Sequence, residues 1–452
     1  MRAIQLKIDP FEFISTLEWN CIKEMGEHGV LKVKGVISEE NRTRYYNKAT
    51  SEVWVNAKAI SDEEEEITLF TGILTNLTIH SQHELHTMEI EVTTGTILLD
   101  QTLHTRAFQD STTSYESAIN TCIKPVGGQM IMRGNNDATI GRFTLQYQET
   151  NWLFIKRLSA RLGQPLLPEF YTEGKRFYIG LNRAERAREL VASNFTFSRG
   201  RANNHETSIG NSYQVNSREI HELGQSILFD GKRLVIGKVN SRLQGEELWH
   251  EYTLLTSAPL LSAPQNPKLT GLSLRAKVTN VSRDRVQIDI LAAENRQDQG
   301  RRWFDYATVY STPEGAGFYA MPTAGNEVRL IFSEGDETRA YVANSIHLST
   351  KGGRTNPDHK SFRNDQGMEI LMTPTEIVLK DDHGQLLELS DSKGITINSN
   401  HAIDISSNKQ IRINSNSVVN LSAQDQVSIQ QKSSRIHMND SIDISGGKIN
   451  MN

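Results

Sequence analysis

The chain has 452 residues, long enough for two to four domains at roughly 150 residues each. Its formal net charge of −5 argues against a general nucleic-acid binder. No run approaches the ~18 apolar residues of a membrane helix, and the opening MRAIQLKIDPFEF lacks the apolar core of a secretory signal, so export by the ordinary secretory route is not expected. Cys21 and Cys122 form no motif and fit synthesis in a reducing cytosol; whether they pair is left open.

In chain order, the first ~120 residues alternate strand-like runs (30–34, 67–70, 88–92) with polar turns. The acidic run Glu63–Glu66 reads as a solvated hairpin loop. A helix is predicted from Thr113, which has capping-box spacing to Glu116. A second follows Thr150, with Trp152, Ile155, Leu158 and Leu162 at helical spacing and Gly163 then Pro165 as stop signals. Strand signals resume at 176–181, 195–198, 234–239 and 251–255. Pro259, Pro264 and Pro267 mark an interdomain linker over 257–268. Five short strands (274–278, 286–291, 307–309, 327–332, 340–345) with Gly-containing turns suit a small barrel. A loop over 350–361 leads to the tail, whose early strands are 368–372, 376–379 and 386–389.

The tail carries the strongest pattern. Apolar doublets Ile395/Ile397, Ile403/Ile405, Ile411/Ile413, Val419/Leu421 and Val427/Ile429 each begin eight residues after the last, separated almost wholly by polar residues. A period of two within the doublet puts both side chains on one strand face; the period of eight is a structural repeat. A single-chain β-helix needs coils of roughly twenty residues, so a step of eight supplies one side of a triangular prism, and three chains are needed to close it and bury the doublets. The rhythm breaks after Ile429, as expected of a terminal cap.

Three segments carry a family resemblance. Gln146-Tyr147-Gln148-Glu149-Thr150-Asn151-Trp152-Leu153-Phe154-Ile155-Lys156-Arg157-Leu158 resembles the hub signature of spike proteins of contractile injection systems, and Arg106-Ala107-Phe108-Gln109 resembles a segment upstream of it. Gly317 to Asp336, with Pro322, Gly325, Glu327, Val328, Phe332 and Gly335, resembles the barrel motif of the same proteins. The chain thus resembles a VgrG-type protein, a fusion of a phage-tail hub with a baseplate spike. The fold implied is mainly β: a hub domain of β-barrels with a few helices (1–262), an OB-fold-like neck barrel (271–348) and a C-terminal triple-stranded intertwined β-helix formed by a homotrimer (365–452). The resemblance implies a hexameric inner tube protein as partner at the hub end, baseplate proteins around it and a PAAR-like tip protein at the C-terminal end. Gly446, Gly447, Ile449 and Met451 are the residues expected to dock that tip.

Catalytic chemistry finds little support. His80, His83 and His86 fit a polar hairpin better than a metal site, having no converging Cys. Asp289, Glu294, Asp298 and Asp305 are acidic residues in barrel loops, read as solvated rather than as a glycosidase pair. His437 alternates with Ile436 and Met438 and is expected to face outward. Arg301 and Arg302 beside Trp303 form a possible oligomer-binding platform, but a packed neck surface is preferred. No catalytic residue, metal, cofactor or nucleic-acid partner is expected.

The function expected is that of a structural central spike that joins the inner tube to the puncturing tip and pierces the target envelope on sheath contraction, with transient contact to its membrane. It would be made in the cytoplasm and exported by contraction of a phage-tail-like particle or secretion apparatus. The alternative is a β-helical tail-fibre-type enzyme or binding protein acting on surface polysaccharide; it would need carboxylates grouped in a groove, whereas Asp404, Asp425, Asp440 and Asp443 fall at different phases of the repeat.

Overall fold

Alternating apolar and polar residues dictate strands through most of the chain, and strands with one apolar face must stack to bury it. The computed structural model describes residues 5–48, 52–60, 65–134, 137–182, 187–192, 194–201, 209–256, 265–346 and 356–448. They divide into two units, Met1–His347 and Leu348–Asn452.

The first unit opens with β1 (Gln5–Asp9), β2 (Ser15–Glu24) and β3 (Val30–Ile37), followed by helix α1 (Glu39–Lys48). Strands β4 (Trp54–Ile60), β5 (Glu66–Gln82) and β6 (Leu85–Thr93) come next, then β7 (Leu103–Phe108) and helix α2 (Tyr115–Ile123). After β8 (Gln129–Met132) and β9 (Thr144–Thr150) lies helix α3 (Asn151–Leu162), followed by β10 (Leu166–Pro168) and β11 (Arg176–Ile179). Six more strands are β12 (Arg188–Glu189), β13 (Phe195–Arg201), β14 (Ile209–Ser217), β15 (Ser226–Phe229), β16 (Lys232–Gln244) and β17 (Glu247–Leu255).

A twelve-stranded sheet runs β1-β4-β5-β6-β3-β2-β16-β17-β14-β13, with β15 on β16 and β12 on β15. The pairing of β2 with β16 is the seam between an N-terminal half and a half contributed after residue 187. Its core includes Trp19, Leu31, Phe70, Ile90, Val215 and Tyr252. A second core gathers Ile119, Cys122, Trp152, Phe154, Leu158 and Phe177 around α2 and α3. Cys21 and Cys122 are free thiols in these two separate cores, and burial pushes them up to about 11 and about 12.

The remaining strands of this unit are β18 (Ser273–Ser282), β19 (Arg285–Ile290), β20 (Phe304–Asp305), β21 (Glu327–Ile331) and β22 (Tyr341–Ser345), in the order β20-β19-β18-β21-β22. A parallel bridge between Tyr306 and Val342 brings the two edges together, giving a small barrel.

Two local expectations need correction. The α2 cap is Ser114, whose side chain accepts from Ser117 N–H, because Asp110 draws Thr112 N–H into a turn that occupies Thr113. The strand expected at 307–309 is displaced to β20, and Val309 is 93% exposed in the following loop. Helix α1 lacks an apolar stripe, with Tyr45 as its buried anchor; its sequence signal is Ser38, which caps Asn41 N–H ahead of Glu39 and Glu40. Helix α3 follows the expectation, with Thr150 accepting from Leu153 N–H and Gly163 at φ 68° as the left-handed stop.

The tail unit holds two antiparallel meanders. The first is β23 (Lys360–Arg363), β24 (Glu369–Met372), β25 (Glu376–Lys380), β26 (Leu386–Ser390) and β27 (Gly394–Asn398). The second is β28 (Val427–Gln431), β29 (Ser434–Met438) and β30 (Ile442–Ser445). Among the described residues, 399–426 join no ladder within the chain.

Candidate assembly interface and the hub–barrel joint

The first doublet, Ile395/Ile397, shares a face with the apolar residues of the strands before it. In the first meander, Ile370 pairs with Leu379, Leu379 with Leu387 and Leu387 with Ile397; alongside, Met372 pairs with Ile377, Ile377 with Leu389 and Leu389 with Ile395. Because side chains alternate across a strand, these two columns form one apolar face, and most of it is exposed, Ile395 by 73%.

Between the meanders the chain bends at 400–401, 408–409, 416–417 and 424–425, a strict step of eight. A serine hydroxyl makes three of these corners. Ser399 accepts from His401 N–H at 3.0 Å, Ser407 from Lys409 N–H at 3.1 Å and Ser415 from Ser417 N–H at 3.2 Å. The stretches between the corners carry Ile403, Ile405, Ile411, Ile413, Val419 and Leu421, all exposed. The corner serines occupy the fifth position of the first three octads, and Ala423 takes that place in the fourth.

After residue 426 the octad gives way to hairpins. Val427 pairs with Met438, and Ile429 with Ile436, which in turn pairs with Ile444. The broken rhythm therefore comes from short turns, one with Lys432 at φ 52°. His437 lies on the opposite, polar face beside Arg435 and across from Asp443. Of the residues expected at the tip, Gly446 packs near Ser434 and Gly447 has open space at its Cα; Ile449 and Met451 lie outside the described residues.

The second feature joins hub and barrel within the first unit. Arg157 of α3 donates to Glu149 at 2.7 Å, to Glu337 at 2.5 Å and to the Leu145 carbonyl at 2.8 Å. Arg161 donates a second bond to Glu337 at 2.6 Å. Arg157, Glu149 and Glu337 are all buried. Burial opposes the charge on Arg157, yet the two carboxylates outweigh it and raise its pKa.

Beside this cluster, Glu294 of the barrel accepts from Thr105 N–H at 3.0 Å and contacts His104 at 2.9 Å and Arg106 at 3.2 Å. Although burial disfavours its charge, these partners hold its carboxyl below the usual range. Arg106 also donates to Gln146 and Asn151. Asn295 extends strand β7 by a reciprocal pair of bonds to Ala107, and Gln109 bonds Gln299 and the Ile288 carbonyl. Gly300, at φ 75°, permits this approach, since a Cβ there would come within 2.7 Å of Asp110 Cβ. Ala107, Phe143 and Leu145 complete the barrel core. The linker's end contributes too: Asn266 donates to the Tyr147 carbonyl and Lys268 to that of Gln148. Residues 257–264 of the linker lie outside the described residues, as do 350–355 of the loop before the tail.

Three of the four acidic residues are paired, with Asp289 and Asp305 in strands β19 and β20 rather than in loops, while Asp298 is exposed. Glu294 is part of the joint, Asp289 pairs with Arg301 at 2.7 Å and Asp305 with Arg285 at 3.0 Å. The Arg301–Trp303 platform is divided, because Arg302 turns inward over Phe143 and Phe304. His80 and His86 sit on the β5–β6 hairpin, whose turn holds His83 at φ 55°. His86 is buried, bonds Ser81 at 2.8 Å and faces Glu39, which ties α1 to the ribbon. Glu66 of the acidic run pairs with Lys58 at 2.7 Å; residues 63 and 64 lie outside the described residues.

The segments quoted for their resemblance thus converge from distant positions on one joint between hub and OB-like barrel. A family model described as the type VI secretion system/phage-baseplate injector OB domain matches residues 274–347. Whole-chain folds agree. The E. coli c3393 protein, described as a type VI secretion component similar to the T4 bacteriophage tail proteins gp27 and gp5, aligns with TM-score 0.53 and 13% identity, over 76% of this chain and all of that one. A chain of the Francisella PdpA–VgrG complex, half-lidded, aligns with TM-score 0.59 and 9% identity over 88% of each chain. The lidless PdpA–VgrG complex gives TM-score 0.56 and 10% identity, covering 85% of this chain and 93% of that one. No curated protein matches the sequence.

The match to that OB-domain model over residues 274–347 and the likeness of the whole fold to type VI and VgrG structures make the chain VgrG-like in fold, mainly β.

Proposed function

We propose that this protein is the central spike of a contractile injection machine, a homotrimer whose tails wind together into the shaft. The observation that carries this is the tail's geometry: corners every eight residues, held by serine hydroxyls, with apolar doublets exposed between the corners. Burying an aliphatic side chain stabilises by about 1.5–3 kcal/mol, so ten such positions are worth on the order of tens of kcal/mol per chain when partners cover them. A lone chain forgoes that contribution. Three equivalent chains close a prism, remove the free strand edges and leave a polar outer coat.

The hub (1–262) then serves as the platform for a hexameric inner tube, the barrel (271–348) as the neck and 365–452 as the shaft, with a PAAR-like protein on the C-terminal turns. Baseplate proteins surround the hub, and the assembly is exported when the sheath contracts, touching the target membrane in passage. The work is mechanical and needs no catalysis. Sedimentation equilibrium of the full chain is expected to give three times the monomer mass with a protease-resistant tail. A stable monomer with an ordered tail would sink the proposal, and robust release of sugars in a glycan-degradation screen would replace the mechanical role by an enzymatic one.

A further inference from the structure

We infer that the seam of the twelve-stranded sheet holds a buried monatomic anion of the halide class against Lys23. A void of about 20 Å³ lies at this seam, lined among others by Trp19, Lys23, Tyr171, His221, Ser241 and His250. Trp19, Lys23, His221 and His250 are each more than nine-tenths buried.

Donors outnumber acceptors around it. Lys23 Nζ donates to the Leu69 carbonyl at 2.7 Å and lies 3.4 Å from the Tyr171 hydroxyl, leaving a third N–H. Among the described residues no carboxylate lies within ion-pair distance of it; the rings of Phe170 and Tyr171 lie beside it, and Glu222 and Glu169 act on it from farther away. Trp19 Nε1, which can only donate, has no partner. His221 is only loosely held: Glu219 lies 3.4 Å from its Nε2, and Gln225 and Glu219 both act on the ring. Ser241 is already taken by His250 Nδ1 at 2.6 Å.

Burial pushes the Lys23 pKa down further than Cys21, Glu222 and Glu169 hold it up, so the ammonium form is costly, and ring faces offset only part of that cost. The void exceeds the ~10–15 Å³ needed by one water-sized sphere and excludes a polyatomic carboxylate or phosphate. A water molecule has the right size and two lone pairs but leaves the charge uncompensated. A halide in the void would accept from Lys23 and from Trp19 Nε1, the two lining donors with spare capacity, and neutralise the ammonium. Lys23 sits opposite Val239 in the β2–β16 register, so the ion would tie the two halves of the sheet where they meet.

The test uses the full chain. Crystals grown in bromide are expected to show an anomalous peak in the void beside Lys23 Nζ. The melting midpoint is expected to rise by about 2–4 °C between ~1 and ~300 mM chloride or bromide, relative to gluconate at matched ionic strength. Lys23→Met should abolish that difference and Trp19→Phe should reduce it; the second variant decides if the first does not fold. An ordered water with no anomalous signal overturns the inference, as does an equal midpoint in halide and gluconate or an undiminished halide effect in both variants.

Discussion

Arg157 and Glu337 stand 180 residues apart in sequence, yet their side chains meet at 2.5 Å with only 1% of either exposed. One comes from helix α3 and the other from the barrel, so the contact ties these two parts of the first unit together. Its charges are matched around the cluster: Arg157 faces two carboxylates, and Glu337 faces two guanidinium groups.

Arg157→Met should destabilise the first unit by about 3–5 kcal/mol, because it leaves Glu149 buried and Glu337 with Arg161 alone. The double variant Arg157→Met, Glu149→Gln should recover part of that loss by removing the stranded carboxylate while Glu337 keeps Arg161. Urea unfolding followed by tryptophan fluorescence measures both; a double variant less stable than the single one would refute the assignment.

Glu294→Ala should cost about 1–3 kcal/mol, since Thr105 N–H and Arg106 lose an ionised acceptor. Coupling to Arg106→Met is expected to be about 0.5–3 kcal/mol in a double-mutant cycle. Additive effects would indicate that the two do not act together at the joint.

The shaft should respond to its corners separately from its doublets. Replacing Ser399, Ser407 and Ser415 together by Ala is expected to cost about 0.5–1.5 kcal/mol per corner in each chain and to lower the shaft's melting midpoint while leaving the trimer mass intact. Ile403→Asn with Ile411→Asn should shift the oligomer toward monomer in sedimentation. Unchanged mass in the Asn variant would argue against an axis lined by the doublets.

Acid should weaken the hub before the shaft. Burial, with Lys23 and His221 nearby, lowers the His250 pKa from 6.5 to about 4, and His221 is lowered in the same direction, also chiefly by burial. A histidine kept neutral in the fold binds fewer protons than in the unfolded chain. The stability this confers is present above pH 6.5 and is lost progressively as pH falls toward about 4, amounting to about 3 kcal/mol for His250 at most. His250→Asn should flatten the dependence of the melting midpoint over that window; an unchanged slope would assign the acid sensitivity elsewhere.

Local patterns carried far into this structure. The cap at Thr150 and stop at Gly163 define α3 because they satisfy orphan backbone groups within a few residues. Helix α1 shows no apolar stripe because Tyr45 alone anchors it, through packing against Phe11 and a hydroxyl that accepts from Glu12 N–H. The displaced strand at 307–309 shows the converse, a β-prone run left in a loop because the barrel pairs through Phe304 instead.

By itself the sequence determined the strand and helix periods, the eight-residue step and the motifs that resemble a hub and a barrel. Each of those depends on neighbours a few residues apart. Only the tertiary structure decided that Glu294 and Glu337 bind hub arginines rather than water, and that Lys23 lies beside a void with unpartnered donors. Partners of a buried charge are chosen by which distant strands share a seam, and no local period encodes that choice.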